Sequence, residues 1–294
     1  MYKVTHFFGC RGANDDLFPY MLCELAENGI ENVVLAHIWC QRYVGEPEYK
    51  NLVAKAIADA KLTVWGSHAP FGKIWDLNTP DLERRPQMIE EQARAMAFSA
   101  ELGSKTITFH IGVNHEGYTF DQLRDFVRES LEKLLPYAEK YCIVMGIENG
   151  VRPLDQPDEL LRYLDEFKSP WLGCTFDTGH ANVVSNYDGK KDLSLFVEKI
   201  KAAWGGQPVF ENHALEKLAP HIVITHVHDN HGYRDEHNLA GNGDGTIDWE
   251  DLRGRVARRV KHRIGFTPLV KIVELGVLPR SEKKTKRVFD ERYD

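Results

Sequence analysis

The chain has no Cys-x-x-Cys pair, no apolar run near the roughly 20 residues that cross a bilayer, and no Pro/Ser/Gly-rich linker. Its five cysteines, Cys10, Cys23, Cys40, Cys142 and Cys174, are odd in number and widely spaced, which argues for reduced thiols in a reducing compartment. The start Met1-Tyr2-Lys3-Val4-Thr5-His6 lacks the basic-then-apolar order of a signal peptide. A cytoplasmic enzyme is expected, with no membrane partner. An excess of positive charge is missing too. The 37 Lys and Arg against 44 Asp and Glu leave a formal net charge of -7, and this disfavours nucleic acid, whose binding comes largely from neutralised phosphates.

What the chain does have is core-building material: 43% hydrophobic residues with six Trp and fourteen Phe. Its 294 residues suit one α/β barrel, a domain that commonly takes roughly 250. Strand-like runs alternate with stretches of helical period eight times. The strands are expected at Val4 to Phe8, Val33 to Ile38, Leu62 to Trp65, Thr106 to His110, Ile143 to Glu148, Leu172 to Phe176, Ile222 to His228 and Leu269 to Glu274. Most are near-continuous apolar runs, as strands buried on both faces of a parallel sheet must be.

Helices are expected at Pro19 to Glu27, Glu48 to Ala60, Leu82 to Leu102, Thr119 to Tyr141, Pro157 to Phe167, Leu193 to Ala203 and Trp249 to Val260. Asp81 and Asp248 can cap helix starts, and Gly29 and Gly103 follow helix ends. The pattern predicts a single (β/α)8 TIM barrel over residues 1–294, with a doubly wound open sheet as the structural alternative. The barrel is preferred because candidate ligand residues sit on both early and late strands, and only closure makes those neighbours. Arg253, Arg255, Arg258, Arg259, Lys261 and Arg263 are expected to form the solvated face of an outer helix.

Six of the strand-like runs end in residue types that bind divalent metals: His68, His110, Glu148, Asp177 with His180, His226 with His228, and Glu274. Parallel strands stopping at one face of a barrel bring such side chains together from distant positions. In Asp177-Thr178-Gly179-His180 the glycine allows a tight turn, so that Asp177 and His180 can face one pocket. His226 and His228 stand two apart on one face of the seventh strand, displaced by about 6.6 Å, too far for equivalent contacts to one ion. His226 is therefore expected as a direct ligand, and His228 as a substrate contact or a partner behind the ligands. Asp235 and His237 lie in the loop that follows, ahead of a glycine-rich stretch, and could add two more ligands. The donor set suits Mg2+, Mn2+, Co2+ or Zn2+, and added imidazoles shift the preference towards Zn2+.

Glu148 in Ile-Glu-Asn, Asp177 and His180 in Phe-Asp-Thr-Gly-His, His226 in His-Val-His-Asp-Asn, Asp235-x-His237 before Gly-x-Gly-x-Gly-x-Ile-Asp-Trp, and Glu274 in Val-Glu-Leu together resemble the xylose isomerase-like TIM-barrel superfamily. That superfamily groups sugar and sugar-phosphate isomerases and epimerases with endonuclease IV-type nucleases of the AP endonuclease family 2. In the isomerase branch the resemblance implies one metal held by Glu148, Asp177, His226 and Glu274. In the nuclease branch it implies three zinc ions, with His68, His110, His180, Asp235 and His237 joining those four. It also implies a homo-oligomer paired through outer helices.

The expected activity is metal-dependent isomerisation or epimerisation of a sugar, sugar phosphate or related polyol through an enediolate. Glu148 and Glu274 are the expected acid/base pair. His228 and His180 would orient substrate hydroxyls, and Trp75 or Phe71 would cover a sugar face. The alternative is endonuclease IV-like, zinc-dependent phosphodiester hydrolysis at abasic DNA. No strand-end loop carries the dense basic and aromatic set that gripping a bent duplex requires.

Overall fold

Seven of the apolar runs form strands in the computed structural model, which describes residues 5–9, 15–187, 189–240 and 242–245. They are β1 (His6–Phe8), β2 (Asn32–Leu35), β3 (Thr63–His68), β4 (Thr106–Phe109), β5 (Val144–Glu148), β6 (Leu172–Asp177) and β7 (Ile222–His226). Each pairs in parallel with the next, in chain order from β1 to β7. Parallel neighbours need a crossover connection, and helices supply it. The helices are α1 (Leu17–Glu27), α2 (His37–Gly45), α3 (Tyr49–Ala60), α4 (Arg84–Glu101), α5 (Phe120–Tyr141), α6 (Pro157–Phe167), α7 (Thr178–Val183), α8 (Glu198–Trp204) and α9 (Ala214–Leu218).

This curled sheet with its covering helices is an α/β TIM barrel. The described residues belong to one unit, Met1–Gly245, and a second unit comprises Thr246–Asp294. The expected helix Trp249 to Val260, the basic cluster, the strand Leu269 to Glu274 and Glu274 itself lie outside the described residues.

Burial on both faces explains the composition of the strands. All four residues of β2, all four of β4 and all six of β6 are buried. Helix α5 shows how the outer layer attaches. Thr119 and Gln122 form a reciprocal capping box, and Leu123, Val127, Leu131, Leu134 and Ala138 line its buried face at helical spacing. The register brings strand ends level: His68 pairs with Thr108, Glu148 with Thr175, and Asp177 with His226. Below them the barrel interior is filled. A Cβ on Gly66 would stand 2.7 Å from Ile224 Cδ1 and 2.9 Å from Thr106 Oγ1, and the Thr108 and Thr175 hydroxyls meet at 3.0 Å.

Several boundaries differ from expectation. The second strand stops at Leu35, because extended Ala36 caps helix α2 at His37. That helix buries Trp39, whose indole N–H donates to the Phe8 carbonyl at 3.0 Å. The segment expected as one helix from Leu193 to Ala203 is a single 3-10 turn, Leu193–Leu195, followed by α8. Helices α7 and α9 span six and five residues, too short to show a helical period.

Candidate active site

The strand ends open into a cavity of about 670 Å3, within the size range of small-molecule pockets. Its lining includes His68, His110, Glu148, Asp177, His180, His226, Asp235 and His237. The structure thus gathers eight of the ten candidate site residues at one cavity. His228 packs against them from behind, and Glu274 falls outside the described residues.

Glu148 ends β5 and is almost wholly buried. Its Oε1 lies 2.5 Å from His226 Nδ1, and its Oε2 lies 2.9 Å from His110 Nε2 and 3.6 Å from His68 Nε2. Burial alone would raise its pKa, but His226, His110 and His68 outweigh that and hold the carboxyl well below the usual carboxylate range. Asp177, also buried, caps α7 by accepting the His180 backbone N–H at 2.8 Å, and its Oδ1 lies 2.9 Å from His228 Nε2. Its pKa is lowered as well, with burial opposed by His180 and His228.

Backbone carbonyls fix two of the imidazoles. His68 Nδ1 lies 2.8 Å from the Ala69 carbonyl oxygen and His180 Nδ1 lies 2.8 Å from that of Asn149. A carbonyl only accepts, so Nδ1 donates in both rings and Nε2 is left facing the carboxylates. His180 Nε2 stands 3.3 Å from Asp235 Oδ2, and His237 Nε2 stands 3.1 Å from the same oxygen. Burial would lower the His180 pKa, yet Asp177, Asp235 and Glu148 raise it well above the ordinary value. Burial dominates at His68, whose pKa is lowered.

Three groups of these atoms are close enough to hold metal ions: Glu148, Asp177 and His226; His68, His110 and Glu148; and His180, His228, Asp235 and His237. Within each, the donor atoms lie within 4.8 Å of one another. Glu148 belongs to two groups and so joins them. The donors fit a divalent ion chemically, because His226 Nε2 and His228 Nδ1 are buried yet lack a hydrogen-bond partner.

Gly179 departs from the turn reading. It is absent from the positive-φ glycines and sits in α7, where a Cβ would stand 2.0 Å from His228 Cε1. The missing side chain makes room for the imidazole. Gly179→Ala is therefore expected to push His228 off Asp177 and weaken metal binding by about 10- to 100-fold. Competition against a metal-sensitive dye measures this, and unchanged affinity would free His228 from any part in the site.

Phe71 lines the cavity and stacks on the His110 ring with centroids 4.3 Å apart. Trp75 instead points its indole N–H at Glu91 at 2.7 Å and is not among the lining residues. Asn149 is a further member of the site. Its side-chain oxygen accepts the Asp177 N–H at 2.8 Å and its amide donates to the Asp177 carbonyl at 3.1 Å, tying the ends of β5 and β6 together. Its position directly after Glu148 was the available signal. His37, Arg152, Asp155 and Lys199, also in the lining, gave none, because they come from loop and helix starts outside the strand-end pattern.

Fold and site together define a class: an α/β barrel whose strand ends collect carboxylates and imidazoles able to hold divalent metal. The chain belongs to the xylose isomerase-like TIM barrel family, whose model matches residues 24–266. It is 29% identical over 233 residues to an uncharacterized protein of Methanocaldococcus jannaschii, covering 76% of this chain and 68% of that protein. Among solved structures it resembles a D-tagatose 3-epimerase-like protein, with a TM-score of 0.57 and 25% identity over 75% of this chain and 76% of that one. It shares its fold with 3-keto-D-glucoside 4-epimerase from E. coli, with a TM-score of 0.60 and 16% identity over 86% of each chain.

Proposed function

We propose that the protein is a divalent-metal-dependent isomerase or epimerase of a sugar, sugar phosphate or related polyol, built as one barrel domain over residues 1–294. The observation that carries this reading is the buried Glu148 carboxylate, ionised among imidazoles at the floor of a cavity of about 670 Å3 and grouped with Asp177 and His226. Glu148, Asp177 and His226 would hold the ion with Glu274 as fourth ligand; the ion, Mn2+, Mg2+, Co2+ or Zn2+, would polarise the substrate carbonyl and stabilise the enediolate.

Glu148 takes the proton from the carbon beside the carbonyl at one of its oxygens, the step for which an ionised carboxylate is needed. Glu274 serves the opposite proton transfer. Phe71 offers an apolar ring face to the sugar beside His110. His180 presents its Nε2 toward substrate hydroxyls, while His228 steadies Asp177 from behind.

A second reading has a specific observation in its favour. The groups around His68 with His110, and around Asp235 with His180 and His237, flank the first one closely enough for three ions. That count would suit zinc-dependent phosphodiester hydrolysis, as in endonuclease IV. Against abasic DNA stands the lining of the cavity, which among the described residues holds two fixed cations, Arg152 and Lys199.

The test combines metal counting with solvent exchange. Metal-loaded protein is expected to move solvent deuterium onto the carbon beside the carbonyl of a ketose. Three zinc ions per chain with cleavage of an abasic duplex, and no exchange, would overturn the isomerase reading in favour of the nuclease.

A further inference from the structure

Two cations face the cavity from separate elements. Arg152 follows β5 in the loop Gly150-Val151-Arg152-Pro153-Leu154-Asp155, and Lys199 lies near the start of α8. The loop is constructed around the arginine. Buried Asp155 accepts the backbone N–H of Arg152 at Oδ1 (3.0 Å) and lies 3.3 Å from Nη1 through Oδ2. A Cβ on Gly150 would stand 2.1 Å from that same Oδ2, so the glycine makes space for the carboxylate. A guanidinium has five N–H donors, and Asp155 engages one of them. Nε and Nη2 have no acceptor among the described residues, although the side chain is only 22% exposed.

Helix α8 is fastened to the same loop. The Trp204 indole N–H donates to the Val151 carbonyl at 2.9 Å, and Val151 packs on the small core of Val183, Val184, Phe196 and Ile200. Lys199, beside Ile200, has no carboxylate within ion-pair reach among the described residues. The carboxylates in the lining have their own partners: imidazoles for Glu148, Asp177 and Asp235, Arg152 for Asp155, and Arg234 for Glu236. A part-buried guanidinium with spare donors and an exposed ammonium that has no carboxylate partner among the described residues thus remain in the wall of the cavity.

We infer that Arg152 and Lys199 form an oxyanion subsite, and that the substrate is a phosphorylated sugar whose phosphate is seated there. The planar fork of Arg152 can meet two phosphate oxygens, and Lys199 adds a point charge. The inference rests on the isomerase or epimerase reading of the same cavity.

The experiment uses the full chain supplied with metal. Solvent deuterium exchange and calorimetric binding are measured with ketopentose and ketohexose phosphates, the matching free ketoses, and sugar carboxylates, for the native protein, Arg152→Ala and Lys199→Ala. The native protein is expected to favour the phosphates. Each variant is expected to lose that preference by roughly 10- to 100-fold, mainly in KM and in binding affinity. Equal or better use of free ketoses, or an undiminished phosphate preference in both variants, would overturn the subsite. A preference for sugar carboxylates that both variants lose would overturn the phosphate and keep the oxyanion. Variant-sensitive binding of phosphates with no exchange on any sugar would support the subsite while removing the isomerase reading.

Discussion

Glu148→Gln is expected to reduce turnover by about three orders of magnitude or more while leaving the far-UV spectrum and the cooperative melt intact. Proton transfer by a positioned carboxylate contributes about 10^2 to 10^4 in rate. Gln keeps the shape of the side chain and removes the charge. The consequence reaches beyond the base, because Glu148 faces His226, His110 and His68 within 3.6 Å. It also belongs to two of the three groups able to hold a metal. Metal content, read by mass spectrometry after dialysis, is expected to fall together with activity. Asp177→Asn should share the metal loss, since Asp177 belongs to the same group as Glu148 and His226. Glu148→Gln protein that kept native turnover and native metal content would refute both assignments.

Much of the barrel was legible because burial on both faces writes itself into the sequence. Cys174, Thr175 and Phe176 of β6 are all buried, and no other common arrangement asks for such unbroken runs at that spacing. The short helices were not legible. Thr178–Val183 turns fewer than two full times, and its start depends on Asp177 accepting the His180 N–H, a contact between a strand end and its own loop.

The candidate site shows the same division. A polar residue closing an apolar run, as at His68, Glu148 or Asp177, announces its place at the strand ends. Period-two reasoning placed His226 and His228 on one face of one strand, but β7 ends at His226. The two rings turn to different carboxylates, His226 to Glu148 and His228 to Asp177. Arg152 and Lys199 gave no signal at all. Membership of a cavity wall is settled by the folding of a loop and a short helix, and neither leaves a period behind.

Metal-free and metal-loaded protein are expected to respond to pH with opposite slopes as pH rises above the ordinary imidazole value of about 6.5. Burial would lower the pKa of His180, His226 and His228, yet all three are raised above the ordinary imidazole value of about 6.5, His180 by Asp177, Asp235 and Glu148, His226 by Glu148 and Asp177, and His228 by Asp177 and Asp235. A raised pKa means the folded state holds its proton more tightly than the unfolded chain. The stability so gained is complete below the unfolded value and is lost as pH rises through the folded one. His6, His68 and His115, lowered by burial, act in the other direction, but their effect is complete once pH has passed the unfolded imidazole value of about 6.5. Glu148 and Asp177, both lowered, contribute fully throughout this range. The metal-free protein should therefore melt at lower temperature as pH rises. Metal ligation needs those same imidazoles neutral, so bound metal stabilises more at higher pH, by about 4 kcal/mol when its free concentration is a thousand times Kd. Thermal melts with Mn2+ or Zn2+ and with chelator, taken across this range, should diverge as pH increases. Parallel curves would show that protons and metal do not compete for these rings, and the three groups would then be polar networks that hold the strand ends together without an ion.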